Sequence, residues 1–263
     1  MCISTIRVIA VMLLGLFAKA EAPAVAQTRG SCDFYRDEVR SGNTIADNRL
    51  TSEWRIALRC IINILDGLKP AVEKNPKPED WKQVVRATGA VRIIIANNET
   101  TGKEINPAVQ LFRAETTLEA TSTLSYAARS EDDGDARLNA TLVLGNVIDN
   151  QHLCVPIDHL YDPKIGTKGR ANLLAVVSVV APWAYKENYE KIDALYQYMK
   201  EKLDPLGGQD DLKQTFAILD NIRQRLDFQQ KPDSNKRTSI PKDLRACEHY
   251  APIWAGDRLR YKF

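Results

Sequence analysis

The residues best equipped for chemistry stand in two short motifs far apart in the chain, His152-x-Cys154 and Cys247-x-His249. Imidazoles carry protons and ligate metals near neutral pH, and a thiol two residues away adds either a soft ligand or a disulfide partner. A Cys154–Cys247 bond would bring the two histidines together, with Asp158, His159 and Glu248 at hand, as a metal or proton-handling site. The plainer reading is a structural disulfide flanked by ordinary polar side chains, and base rates favour it because C-x-H is a common pattern. The pattern therefore assigns no catalytic residue, no metal ligand and no cofactor.

Other catalytic signatures are missing from the sequence. It contains no H-E-x-x-H, no G-x-S-x-G, no phosphate-cradling glycine loop and no dinucleotide fingerprint. Leu206-Gly-Gly208 is a helix break, and Lys168-Gly-Arg170 at a helix start reads as a solvated end rather than an anion site. A second cluster is aromatic: Trp183, Tyr185, Tyr189, Tyr196 and Tyr198. Tyr and Trp are enriched at binding surfaces, so Trp183, Tyr185, Tyr189 and Tyr196 are the candidate partner-binding residues. Packing between helices is the competing use of the same rings.

Residues 1–26 read as a signal peptide. Arg7 precedes the apolar run Val8–Phe17, which is too short to span a bilayer as a helix. The small-x-small sites Ala18-Lys-Ala20 and Ala24-Val-Ala26 follow, and Pro23 favours cleavage after Ala26. Removal of 1–26 would take Cys2, Arg7, Lys19 and Glu21, leaving 34 basic and 33 acidic residues. That balance recruits neither nucleic acid nor an anionic membrane, and no stable membrane insertion is expected once the signal is cleaved.

Cys32, Cys60, Cys154 and Cys247 would remain, an even number suited to two disulfides in a secreted or periplasmic protein of bacterial type. Three connectivities are possible; Cys32–Cys60 with Cys154–Cys247 is favoured, because the first closes a local loop and the second ties the tail down. The sequons at Asn98 and Asn139 would go unused in such a compartment.

The elements that must position these residues are helical. Residues 27–50 read as an irregular N-terminal arm. Apolar three-four spacing marks helices at about 52–68, ended by Pro70, and 79–97. Asn106 caps a helix opened by Pro107 that continues to about 129. The carboxylates of Glu131–Asp135 suit the N-terminus of the next helix, 135–149. Further helices are expected at 153–161, 168–183, 187–203 and 209–228. Residues 229–263 form a polar linker followed by an aromatic tail that docks on the helices. The whole of 51–228 is one helical domain.

Within it the sequence repeats itself. Arg137-Leu-Asn139-Ala-Thr-Leu-Val-Leu144-Gly145-Asn-Val147 aligns with Arg170-Ala-Asn172-Leu-Leu-Ala-Val-Val177-Ser178-Val-Val180. A period of this size marks helical hairpins that cannot bury their apolar faces alone. It also settles Leu173–Trp183 as helix rather than strand. Leu144 and Val177 are expected to be buried at equivalent places, and Gly145 and Ser178 to mark close approach between helices. Over 107–183 the chain resembles the HEAT and armadillo class of helical repeat proteins. The resemblance implies an all-α short array of stacked antiparallel hairpins that binds a protein or peptide along one face. A non-enzymatic exported scaffold is the leading expectation, and an enzyme or metal-binding protein using His152 and His249 is the alternative.

Overall fold

The computed structural model describes residues 24–100, 105–162, 164–180 and 186–203, with residues 217, 220 and 221 besides. Among the described residues the fold is all-α. Ten helices follow one another: α1 (Ala24–Ser41), α2 (Asp47–Ser52), α3 (Trp54–Lys74), α4 (Pro78–Asn97), α5 (Pro107–Glu115), α6 (Leu118–Arg129), α7 (Gly134–Val147), α8 (Cys154–Leu160), α9 (Thr167–Val180) and α10 (Lys186–Leu203).

Their contacts follow a simple order. Helices α3 and α4, α6 and α7, and α8 and α9 pack as hairpins. Helix α3 also packs on α6, α6 on α8 and α8 on α10, while α4 packs on α7 and α7 on α9. Each helix thus meets its hairpin partner and the like-placed helix of the next hairpin, so the apolar faces close on one another in two layers. One core runs through this stack, from Tyr35 and Leu58 at one end to Leu195 and Met199 at the other.

The N-terminal stretch corrects the expectation of an irregular arm. Most of it is α1 and α2, and α1 packs on α3 through Cys32, Tyr35 and Val39, all buried. Those positions have helical spacing, but polar and glycine neighbours dilute the pattern. Gly42, in the left-handed region with φ 89°, turns the chain after α1. A Cys32–Cys60 disulfide, as favoured from the sequence, fastens α1 to α3.

Two helix boundaries also differ from expectation. Helix α3 does not stop at Pro70, which lies inside it. Pro70 sits on the exposed side, while Leu68 and Val72 are buried one turn apart and carry the helix on to Lys74. The single helix expected from Pro107 to about Arg129 is two, because Thr117 leaves the helical region and caps α6 by accepting from Ala120 N at 3.0 Å. Other local readings hold. Asn106 Oδ1 caps α5 through Ala108 N at 2.9 Å, and Asp133 Oδ1 caps α7 through Ala136 N at 2.8 Å. The valine-rich run from Leu173 is helical as far as Val180, and Pro182 lies outside the described residues.

Positions related by 33 in α7 and α9 share their burial: Ala136 and Gly169, Val143 and Val176, Leu144 and Val177. Arg137 donates to Ser130 O at 2.7 Å and Arg170 to Ile165 O at 3.0 Å, each reaching a carbonyl just before its own helix. The close approach, however, is not at Gly145. A Cβ there would meet nothing within 4 Å, whereas a Cβ on Gly169 would run into the Arg129 backbone. The expected site of tight packing therefore moves to the other end of the aligned helices.

Candidate functional site

The histidine region is assembled by the turn before α8 and by α8 itself. Asp149 Oδ1 accepts from the backbone N–H groups of Gln151 (3.0 Å) and His152 (3.3 Å), which wraps the chain into a tight turn. The same oxygen lies 2.9 Å from His152 Nδ1, so the turn also orients the imidazole. His152 is buried beneath it. Every residue of α8 is buried, because α6, α9 and α10 surround this short helix. Cys154, its first residue, is disulfide-bonded. Cys247, Glu248 and His249 lie outside the described residues, so the juxtaposition of two histidines expected from the sequence lies outside them too.

One turn into α8, Asp158 and His159 are fully buried against α6. His159 Nε2 stands 3.4 Å from Ser122 Oγ, and the ring meets Tyr126 edge-on with centroids 4.3 Å apart. A serine and a histidine within hydrogen-bond reach have the composition of a nucleophile and its base. Both are closed off from solvent here, and the pair instead couples α6 to α8.

Around it lies a layer of ionisable groups that the sequence reading missed. Arg129 donates to Asp162 Oδ2 at 2.7 Å, with both side chains largely buried, and its guanidinium lies 4.7 Å from the centre of the Tyr126 ring. Burial, reinforced by the Glu73 carboxylate, pushes the Tyr126 phenol up to about 12. Burial lowers the pKa of Arg170, opposed by Tyr198 and Asp162. These groups hold the hairpins together. Their sequence signal was faint, because Arg129 and Asp162 are widely separated and only the fold pairs them. Among the described residues no group of three or more His, Cys, Asp and Glu is placed to hold a metal ion.

The aromatic candidates divide. Trp183 and Tyr185 lie outside the described residues, and Tyr189 is on α10 with its side chain undescribed. Tyr196 is buried and its hydroxyl donates to Asp220 Oδ1 at 2.9 Å. Its ring is packed away from solvent on α10. Tyr198 is buried as well, donating to Tyr161 O at 2.9 Å.

Among the described residues Phe34, Ile56 and Ile105 are exposed at separate places, and three more large apolar side chains reach solvent on two adjoining helices. Leu138 is 57% exposed and Leu142 39% on α7, and Val179 is 48% exposed on α9, the helix beside it. Exposed Ala175 lies one turn before Val179. Arg92, reaching from α4, donates to Asn139 Oδ1 on α7 at 2.6 Å. The signal was legible: both helices carry apolar residues nearly all round, although each buries one side only. No described helix is long and apolar enough to cross a membrane. Such an arrangement offers dispersion and desolvation to a partner, with no chemistry of its own. No family model, no curated protein and no solved structure matches the chain, so its site stands on this geometry alone.

Proposed function

We propose that this protein is an exported, non-enzymatic helical scaffold that binds a protein or peptide on the outward side of α7 and α9. The observation that carries the reading is the set of exposed apolar side chains Leu138, Leu142 and Val179 on two adjoining helices. Scattered apolar residues on a surface need no explanation, but apolar residues repeated at i and i+4 and continued on the neighbouring helix do. Trp183 and Tyr185 follow Val179 within six residues, so the aromatic candidates adjoin the same surface in sequence. The disposition of ionisable groups agrees with this reading: Arg129 with Asp162, and His159 with Ser122, are engaged in joining helices.

A HEAT- or armadillo-type array is the architecture we assign to the stack. The like burial of positions 33 apart in α7 and α9 supports it, as does the matched use of Arg137 and Arg170. Stacked hairpins of this kind offer an extended surface to which neighbouring units contribute equivalent helices. The Cys32–Cys60 disulfide supports export to an oxidising compartment, because structural disulfides persist there.

The test is a selection of displayed random peptides against the purified full chain, repeated with a Leu138→Glu/Val179→Glu variant. Both substitutions replace exposed side chains, so the thermal midpoint should change little. Peptides enriched by the wild-type chain should carry apolar anchors and lose at least tenfold in affinity for the variant. Equal binding to both proteins would remove α7 and α9 as the docking face.

A further inference from the structure

We infer that Cys154 is bonded to Cys247, so that the C-terminal segment is tied to the start of α8. The chain holds five cysteines: Cys2, Cys32, Cys60, Cys154 and Cys247. Cys32 and Cys60 are bonded to each other, and Cys154 is itself disulfide-bonded. Within one chain only Cys2 and Cys247 remain as its partner. Cys2 lies ahead of the signal-like run Val8–Phe17 and would leave with it, so Cys247 is the partner that stays. This exclusion rests on the export reading above; the bonded state of Cys154 does not.

The chemistry is thiol–disulfide exchange. The thiols of Cys154 and Cys247 lose two protons and two electrons to a protein disulfide of the exported compartment, which departs as a dithiol. The site suits a lasting bond. Cys154 is buried, and its neighbours Leu153 and Val155 are fully so, which shields the sulfur from small reductants. The two disulfides would then act at different places. Cys32–Cys60 fastens the first helix to α3, and Cys154–Cys247 fixes residues beyond α10 to the third hairpin. The loop closed is more than ninety residues long, so the unfolded chain loses much of its freedom.

Tryptic mapping of the exported full chain, alkylated before digestion and kept unreduced, tests the bond. Cleavage after Arg137 and Lys164 places Cys154 in peptide Leu138–Lys164, and cleavage after Arg245 and Arg258 places Cys247 in Ala246–Arg258. These two peptides should be recovered as one cross-linked species that separates on reduction. An alkylated Cys154 peptide, a Cys154–Cys154 dimer, or a link to Met1–Arg7 would each overturn the assignment. The outcomes also separate the two proposals. A Cys154–Cys247 link in a chain that still begins at Met1 would sink cleavage of the signal and leave the bond standing. Cys247→Ser should make Cys154 available to alkylation in the unfolded chain and lower the thermal midpoint by roughly 10 °C. If that variant proves too poorly folded to purify, the mapping of the wild-type chain still decides.

Discussion

Replacing Gly169 by alanine should force α9 away from α6. A Cβ on Gly169 would stand 2.7 Å from Arg129 Cα and 2.9 Å from its carbonyl carbon, and it would also meet the Arg129 carbonyl oxygen. All three atoms are main chain and cannot rotate aside. Nor is Arg129 free to retreat, because its guanidinium is held at 2.7 Å by Asp162 and lies over the Tyr126 ring. Overpacking of this sort costs about 1–3 kcal/mol, and a backbone-to-backbone collision belongs at the upper end. The gain from removing a glycine in a helix returns roughly 0.5–1 kcal/mol. The net is a loss of about 2 kcal/mol, which lowers the thermal midpoint of a domain this size by roughly 4–8 °C. Gly145→Ala is the internal control. It lies in the like-aligned helix with nothing within 4 Å of the new methyl, so it should gain roughly 0.5–1 kcal/mol. Circular dichroism melts of the two variants should shift in opposite directions. A Gly169→Ala midpoint at or above the wild-type value would refute the packing of α9 on α6 described here.

Two further outcomes follow from the buried ionisable layer. Asp162→Asn leaves the Arg129 guanidinium without its carboxylate and should cost about 3 kcal/mol, read as a lower urea midpoint at unchanged slope. For Tyr126 the folded phenol holds its proton to about 12, above its ordinary value, so the unfolded chain ionises first. Its contribution to stability is whole below pH ~10 and is lost as pH rises through ~12, by roughly 2–3 kcal/mol. Tyr126→Phe should flatten that part of the stability–pH curve, and parallel decline in both proteins would show that Tyr126 is not the group responsible.

How much of this could be read beforehand depends on how far apart the cooperating residues lie. The helix expected at 79–97, the Asn106 cap and the carboxylates of 131–135 before α7 are written in neighbouring residues, and each was legible. So was Cys32–Cys60, which closes a short loop. Helix α1 was hidden because the strong members of its buried stripe among the described side chains, Cys32, Tyr35 and Val39, stand among polar residues, and α3 held on to it through contacts that no local pattern records. Pro70 misled for the opposite reason. Proline usually ends a helix, yet here it faces solvent while the far side stays buried, and packing outweighs the lost hydrogen bond. Gly145 misled because smallness was read as proximity. The alignment of 137–147 with 170–180 was sound in burial, but it began one residue too late to include Ala136 and Gly169.

Helix α6 explains why the candidate site was the least legible part. From Ala120 to Ala128 every residue is buried, yet the run contains Thr121, Ser122, Thr123, Ser125 and Tyr126. A helix enclosed on all sides is ordinarily apolar all round. Here small hydroxyl residues let α3, α7, α8 and α9 approach. Two of the hydroxyls are spent on carbonyls, Thr121 on Thr117 O at 2.8 Å and Thr123 on Leu65 O at 2.7 Å. A polar pattern that would suggest an exposed helix, or a binding surface, here belongs to an enclosed one. The inverse holds on α7 and α9, where Leu138, Leu142 and Val179 reach solvent. Buried polar groups are tolerated because each hydrogen bond made across helices recovers the cost of desolvation. Exposed apolar groups gain no such compensation, and under the function proposed above it is a docked partner that would supply it.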